Sequence, residues 1–444
     1  MTKHGFAKFF LGGLLAVSVN SVLAKEDTSA YATPSEDFSV SALKHGYSLQ
    51  DAKRLHEQWN LQKFLDITES GAYSYLHLPE FMPHAVIHRD GPVAELKYAY
   101  NNAIGRLSLK NKHKKHQLEQ MISADDSPLQ GLLVINKGKI VYELYPGMRK
   151  TDRHVWMSNS KTFAGLLIAK LEDEGRIDLQ QPVSRYLKKA KGTAWENVKV
   201  FDVLNMQSGL NLEENPATRK GDTPYNAFVR AEVGVPGNDG KVHSHDEALL
   251  AIPKLHEPGQ RFEYSSANTQ MLGLIIEEIT QKRLAEVISE TIWMPSAMAA
   301  DATLGLSPQG NAIIHGLIST RLDDMARFGM LYTPSAQLIS REPIVTPSML
   351  KRMQTSGKSD NYLKGALGPR LSEEFGEQPL FNSYQWDAVF ADGDIYKSGM
   401  NGQGLYISPA RDNVVVWFAT GFTEVPMEAF ARKISLSLGP VNTN

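Results

Sequence analysis

The sequence predicts an α/β (α+β) fold: one antiparallel sheet made from strands at two distant parts of the chain, flanked by helices, with a helical second lobe. Three observations lead there. Gly131 to Leu144 is strand-rich around a polar turn, the stretch from about 176 to 330 is patterned mainly as helices, and strand texture returns from Asp394 to Ala419. Strands at both ends with helices between them require the ends to meet, and a site is expected where sheet and lobe join.

Length and charge narrow the function. The chain has 444 residues, 22% of them charged, and a net charge of −2. That balance supports a globular core and gives nucleic acid no basic footprint. The basic run Lys110 to Lys115 (KNKHKK) reads as a solvated loop or helix face. There is no cysteine, which excludes disulfides and thiolate chemistry. The first 24 residues read as a signal peptide. Lys3 and Lys8 precede the short apolar run Phe9 to Val19, and Val22-Leu23-Ala24 suits cleavage after Ala24. An exported, periplasmic or secreted bacterial protein is expected, with no membrane span once this segment is removed.

In chain order, residues 25 to about 125 read as an N-terminal extension packing on the main domain, with 126–444 as that domain. Leu49 to Leu65 is helical, whereas Pro79, Pro83 and Pro92 make Leu76 to Leu96 an extended loop. Gly131 to Ile135 and Ile140 to Leu144 form a hairpin about Asn136-Lys137-Gly138-Lys139. A helix follows from about Ser158, with Phe163, Leu167 and Leu171 on one face and Gly175 as its stop. Asn268 to Thr280 is a second clear helix, with Leu272, Ile275, Ile276 and Ile279 on one side. Asp394 to Ser398, Gly404 to Ile407 and Val414 to Ala419 read as a meander, and Met427 to Leu438 as a last amphipathic helix.

Chemistry concentrates at three places. The pattern S-x-x-K occurs three times, at Ser41, Ser158 and Ser348, so the tetrapeptide alone decides nothing. Ser41 lies in the extension, and Ser348 after Pro347 reads as a helix N-cap. Ser158 follows a hairpin and opens an apolar helix, where free backbone N–H groups favour negative charge. Lys161 comes one turn later on the same side and would serve as base once burial lowers its ordinary pKa of about 10.4 by roughly 3 units. Tyr264-Ser265-Ser266 precedes the second helix, where a tyrosine can carry a proton between nucleophile and leaving group. Lys397-Ser398-Gly399 is the one K-[ST]-G match in the chain. Its cation would bind a substrate carboxylate or depress a neighbour's pKa. The N–H of Met400 just beyond it would pair with that of Ser158 as an oxyanion hole. The glycines at 399, 402 and 404 would let this strand approach a substrate closely.

Order and context together match one known set: S-x-x-K, then Y-x-N-like, then K-T-G-like. Tyr100 to Asn102 also fits Y-x-N but precedes the serine. The chain resembles the serine β-lactamase/penicillin-binding-protein superfamily, and within it the class C-like branch of esterases and 6-aminohexanoate-dimer hydrolases. The resemblance runs from about Leu129 to Phe430. It includes LLVINKGKIVYE (Leu132 to Glu143), SNSKTF (Ser158 to Phe163), VLNMQSGL (Val203 to Leu210), PGQRFEYSSANTQMLG (Pro258 to Gly273), STRLDDMARFGML (Ser319 to Leu331) and GMNGQGLYISP (Gly399 to Pro409). It implies the β-lactamase/transpeptidase fold and an acyl-enzyme on Ser158, with Lys161 and Tyr264 moving the proton and the Ser158 and Met400 amides holding the oxyanion. The expected partner is a small ester, amide or peptide substrate, with no cofactor. Ser266 stands where β-lactamases often carry Asn. Lys397 is like the lactamases and peptidases, whereas the PGQRFEYSSANTQ passage and the extension are like the dimer-hydrolase branch. An ester or linear-amide hydrolase leads, a D,D-peptidase or β-lactamase is the alternative, and a non-catalytic binding or sensor module is the alternative of another class.

Five further residues carry expectations. His243 and His245 (HSH) have no third ligand at a recognisable spacing, so they read as a polar loop rather than a metal site. His315 precedes a glycine in a loop, facing the cleft or packed. Tyr225 and Trp386 are candidates for a substrate pocket.

Overall fold

The computed structural model describes residues 38–111, 114–237 and 239–439. The expected signal peptide lies outside the described residues. Among the described residues no helix is long and apolar enough to cross a membrane.

The hairpin forms as its turn dictates. Strands Leu129–Asn136 and Lys139–Leu144 are joined by Lys137 and Gly138, both at positive φ (48° and 71°), the conformation a two-residue hairpin turn needs. Strand Asn413–Ala419 pairs antiparallel with Leu129–Asn136 and continues to Gln403–Ser408 and Ile395–Gly399. Two further strands extend that edge, Trp386–Val389 and Phe381–Ser383. At the other edge Lys97–Tyr98 runs parallel to Lys139 and Ile140, so the eight-stranded sheet is antiparallel apart from this one pair.

Alternation along Asn413–Ala419 divides the protein into layers. Val414, Val416 and Phe418 enter the larger core, beside helices Lys161–Asp173 and Leu322–Met330. Val415, Trp417 and Ala419 enter a second core beneath the last helix, Met427–Ser437. A Cβ on Gly329 would come within 2.5 Å of Val414 Cγ1, so a glycine there lets helix Leu322–Met330 lie directly on the sheet. Gly402 and Gly404 serve the sheet in the same way: a Cβ on Gly404 would overlap the Trp417 ring.

The structure departs from the sequence reading in four places. The middle of the chain contains strands Ala302–Gly305 and Ile318–Thr320. They join His84–Ile87 and His154–Val155 in a separate four-stranded sheet. His84–Ile87 is thus a strand within the expected loop, because its partner Ala302–Gly305 is over 200 residues away and leaves no local trace. The described part of the basic run is strand: Ser108–Asn111 and Lys114–Gln117 form an antiparallel pair with Lys110, Lys114 and Lys115 exposed, so the run is solvated as expected. The N-cap of helix Pro347–Thr355 is Thr346, while the Ser348 hydroxyl donates to Asp173 Oδ1 at 2.9 Å.

Candidate active site

The small sheet delivers Ser158 to its place. His154–Val155 pairs with Ile318–Thr320, and the Trp156 N–H bonds Ile318 O. The chain then turns at Met157, a non-glycine residue at φ 48°. Such a residue costs roughly 1–3 kcal/mol and persists where surrounding packing imposes it. Ser158 sits not at the start of an α-helix but inside a 3₁₀ turn, Met157–Ser160, that leads into helix Lys161–Asp173.

Lys161 is fully buried. Its Nζ lies 3.0 Å from Ser158 Oγ, 3.0 Å from Ser266 Oγ and 2.8 Å from the carbonyl oxygen of His315. No carboxylate is among these three partners. Burial therefore pushes its pKa down to about 7, with Glu214 opposing and Lys397 assisting. Two hydroxyls and a carbonyl orient the amine without holding the proton on it, which is what a base near neutral pH requires.

Ser266 is the first residue of helix Ser266–Thr280, capped by Ser265. Its hydroxyl and N–H both donate to Glu214 Oε2, at 2.7 and 3.1 Å. Glu214 is buried and paired with Arg219 at 2.6 Å. Burial works against its charge, but Arg219 and Lys161 hold its pKa well below the usual range. Ser266 is thus fixed as a donor to Glu214 and an acceptor toward Lys161.

Tyr264 is half-buried and lies between the two lysines. Lys397 Nζ donates to its hydroxyl at 2.9 Å, and both ammonium groups lie over its ring, Lys397 at 4.8 Å and Lys161 at 5.3 Å from the centroid. Burial and the charges of Asp387 and Glu214 raise its pKa, and a hydrogen bond with Ser158 acts the other way. The phenol is therefore protonated at neutral pH and stands beside the Ser158 hydroxyl, placed to pass a proton.

Of the two roles expected of Lys397, its charge does help lower the pKa of Lys161, whereas its contacts speak against a substrate carboxylate. Its ammonium already holds a carboxylate of the protein, Asp387, at 2.7 and 2.8 Å. The same Asp387 accepts from the N–H and hydroxyl of Ser398. Lys397 is consequently not free to receive a substrate carboxylate; it braces Tyr264.

Strand Ile395–Gly399 ends against the turn that carries Ser158. A Cβ on Gly399 would lie 2.7 Å from Trp156 O and 2.8 Å from Asn159 Nδ2, so only glycine permits this approach. Met400 and Ser158 then line one cavity. Asn401 follows at φ 62°, and its amide donates to Tyr75 OH at 2.8 Å and to Leu65 O at 3.2 Å. Leu65 and Tyr75 thereby fasten the turn that carries Met400.

The cavity is narrow, ≈ 70 Å³. Much of its apolar wall comes from Trp59, Leu61, Phe64, Leu65, Leu78 and Met82. Tyr225 lines it as expected, and His315 does too. Trp386 does not: it is a core residue packed on Tyr332. His245 is no polar loop but the buried first residue of helix His245–Leu250, whereas His243 is exposed and pairs with Asp239. The other S-x-x-K matches and Tyr100 lie elsewhere: Ser41 is exposed, and the exposed Tyr100 donates to Glu143.

Sequence reasoning missed Asp387, Glu214 and Arg219. Asp387 had one signal: in the register that pairs Ala388 with Tyr396, it falls opposite Lys397. Glu214 and Arg219 lie in a loop outside the quoted motifs.

Fold and site together define a serine hydrolase built on the β-lactamase/transpeptidase architecture, and residues 119–438 match the Beta-lactamase family model. The chain belongs to that family. Among curated proteins it is similar to the 6-aminohexanoate-dimer hydrolase of Paenarthrobacter ureafaciens, 26% identical over 78% of this chain and 84% of that protein. Among solved structures it resembles a Bacillus anthracis protein assigned as a 6-aminohexanoate-dimer hydrolase (TM-score 0.68, 23% identity, 82% of this chain and 92% of that one). It also resembles EstCE1, a hydrolase with promiscuous acyltransferase activity (TM-score 0.53, 16% identity, 70% of this chain and 93% of that one). These structural likenesses establish the fold.

Proposed function

We propose that the protein hydrolyses ester or linear amide bonds of small substrates through an acyl-enzyme on Ser158. The carrying observation is the 3.0 Å contact between Ser158 Oγ and a buried Lys161 whose pKa lies near 7. Ser158 Oγ attacks the substrate carbonyl while neutral Lys161 takes the hydroxyl proton. The N–H groups of Ser158 and Met400 receive the oxyanion. As the intermediate collapses, the bond to the leaving alcohol or amine breaks, and Tyr264 passes that group its proton. Water then attacks the acyl-enzyme by the reverse relay, releasing the acid and restoring Ser158.

The apolar wall suits an acyl chain rather than a bulky bicyclic ring, and the relative in Paenarthrobacter is named a 6-aminohexanoate-dimer hydrolase. The peptidase or β-lactamase alternative needs a cation for the substrate carboxylate, and Lys397 is committed to Asp387. The binding-module alternative leaves the lowered pKa of Lys161 without a purpose. Intact mass after incubation with a fluorophosphonate, nitrophenyl esters and a penicillin tests the reading. One adduct, absent in Ser158→Ala, together with ester turnover supports it. A stable penicillin adduct would shift it to a peptidase, penicillin hydrolysis to a β-lactamase, and no adduct in folded protein to a binding module.

Export through the N-terminal segment is proposed on its charge and apolar pattern. N-terminal sequencing of protein from the periplasm or medium should begin at Lys25; protein retained in the cytoplasm and beginning at Met1 would reject export.

A further inference from the structure

Behind Lys161 lies a cluster that the reaction above does not use. Glu232 ends helix Pro224–Glu232, His245 begins helix His245–Leu250, and His315 lies in the loop before Ile318–Thr320. All three side chains are buried. One ligand atom from each lies within 4.8 Å of the others. Glu232 Oε1 is 2.7 Å from His315 Nε2 and 3.6 Å from His245 Nε2. Short as these separations are, Glu232 Oε1, His315 Nε2 and both ring nitrogens of His245 are buried without a well-directed hydrogen bond. Buried polar atoms are nearly always bonded, and four such atoms on three touching residues form a set of ligand atoms that a cation would satisfy. Phe228 holds the rings, stacked on His245 at 4.7 Å and packed on His315 at 5.7 Å.

The donors suit a cation. Zinc takes imidazole nitrogen and carboxylate oxygen at about 2.0–2.2 Å in tetrahedral geometry. That geometry sets neighbouring ligand atoms roughly 3.3 Å apart, between the two separations observed here. Two imidazoles and one carboxylate form a donor set used by zinc and other divalent transition metals. Glu232 and His315 also face the cavity beside Ser158, which supplies an entry path and an open fourth position.

We propose that Glu232, His245 and His315 form a binding site for one divalent transition-metal ion, Zn²⁺ in the first instance, on the wall of the substrate cavity behind Lys161. The ion reaches its ligands through the cavity and leaves its fourth position toward it. The site stands apart from the hydrolytic reading, because its test measures metal and not turnover.

The test is calorimetric titration of the chelator-treated full chain with Zn²⁺, with visible absorption after Co²⁺ loading and melting temperature with and without Zn²⁺. The expected results are one ion per chain at micromolar affinity, absorption bands of a four-coordinate Co²⁺ site and a raised melting temperature. His245→Ala and Glu232→Gln each lose at least tenfold in affinity, while His243→Ala, on the exposed pair with Asp239, keeps wild-type binding. A cooperative thermal melt followed by circular dichroism shows that each variant is folded; were His245→Ala to misfold, Glu232→Gln decides alone. No stoichiometric binding by the wild type, or binding unchanged in the two cluster variants, overturns the site.

Discussion

The two sides of Tyr264 each bury a lysine completely, and they use it in opposite ways. Lys161 meets two hydroxyls and a carbonyl; Lys397 meets both oxygens of Asp387. Burial lowers the pKa of both, but beside Lys397 a contacting carboxylate opposes it first, whereas beside Lys161 only more distant carboxylates do. The same residue type therefore becomes a base on one side and a brace on the other. What decides is the partner in contact: an ion pair keeps a proton, and neutral hydrogen-bonding groups in a dry site let it go.

Exchanging or removing the lysines tests this contrast most severely. Lys161→Met removes the base and should lower kcat/KM by about 10²–10⁴-fold with no loss of thermal stability. The sign follows from linkage. The folded pKa of Lys161 lies below its unfolded value, so the unfolded chain binds the extra proton between about pH 7 and 10.5. Burying this group therefore costs stability in full below pH 7, and the cost fades as pH rises toward 10.5. A fall in melting temperature at pH 6 comparable to that of a broken ion pair would contradict the assignment.

On the other side the expected loss is stability. Asp387→Asn breaks the buried pair and leaves Lys397 without the carboxylate that keeps its proton on, which should cost about 3–5 kcal/mol; denaturant melts at pH 7 measure it. An unchanged midpoint would mean that the Lys397–Asp387 pair is not a brace.

The pH profile sharpens the contrast with the wild type alone. The rate should rise through an ionisation near pH 7 as Lys161 loses its proton. Tyr264→Phe keeps the ring under both ammonium groups but removes the proton carrier, lowering kcat by roughly 10²-fold or more; a profile with an unmoved midpoint and a reduced plateau would fit that role. The smallest effect belongs to Ser266→Ala. It removes one of three contacts to Lys161, so about 1 kcal/mol of orientation is lost and turnover should fall several-fold. A hundredfold loss would mean that Ser266 moves a proton itself.

Several parts of this architecture were legible before any coordinates. The hairpin was read from a turn that needs positive φ at two adjacent residues, and the helix after Ser158 from apolar side chains recurring every four positions. Ser158, Lys161, Tyr264, Ser266 and Lys397 stand out as candidates because S-x-x-K, the tyrosine before a helix and K-S-G each sit at the edge of a regular element, and the structure brings them together. The α-helix itself starts at Lys161, three residues later than the pattern suggests, because a single 3₁₀ turn is too short to show a period of its own. The strand His84–Ile87 was missed for another reason: its pairing energy comes from a partner far along the chain.

The sequence by itself determined which residue types stand at element edges and in what order, because local periodicity and turn chemistry act over a few neighbours. Only the tertiary structure decided what each charged group touches. Asp387 answers Lys397 through sheet register, Glu214 reaches Ser266 from a loop 52 residues away, and Trp59, Leu61, Phe64 and Leu65 wall the cavity although their own pattern points to no site. Glu232, His245 and His315 come together in the same way, from three elements spread over more than 80 residues. Protonation depends on burial and on partners a few ångströms away, and those distances exist only once the chain has folded.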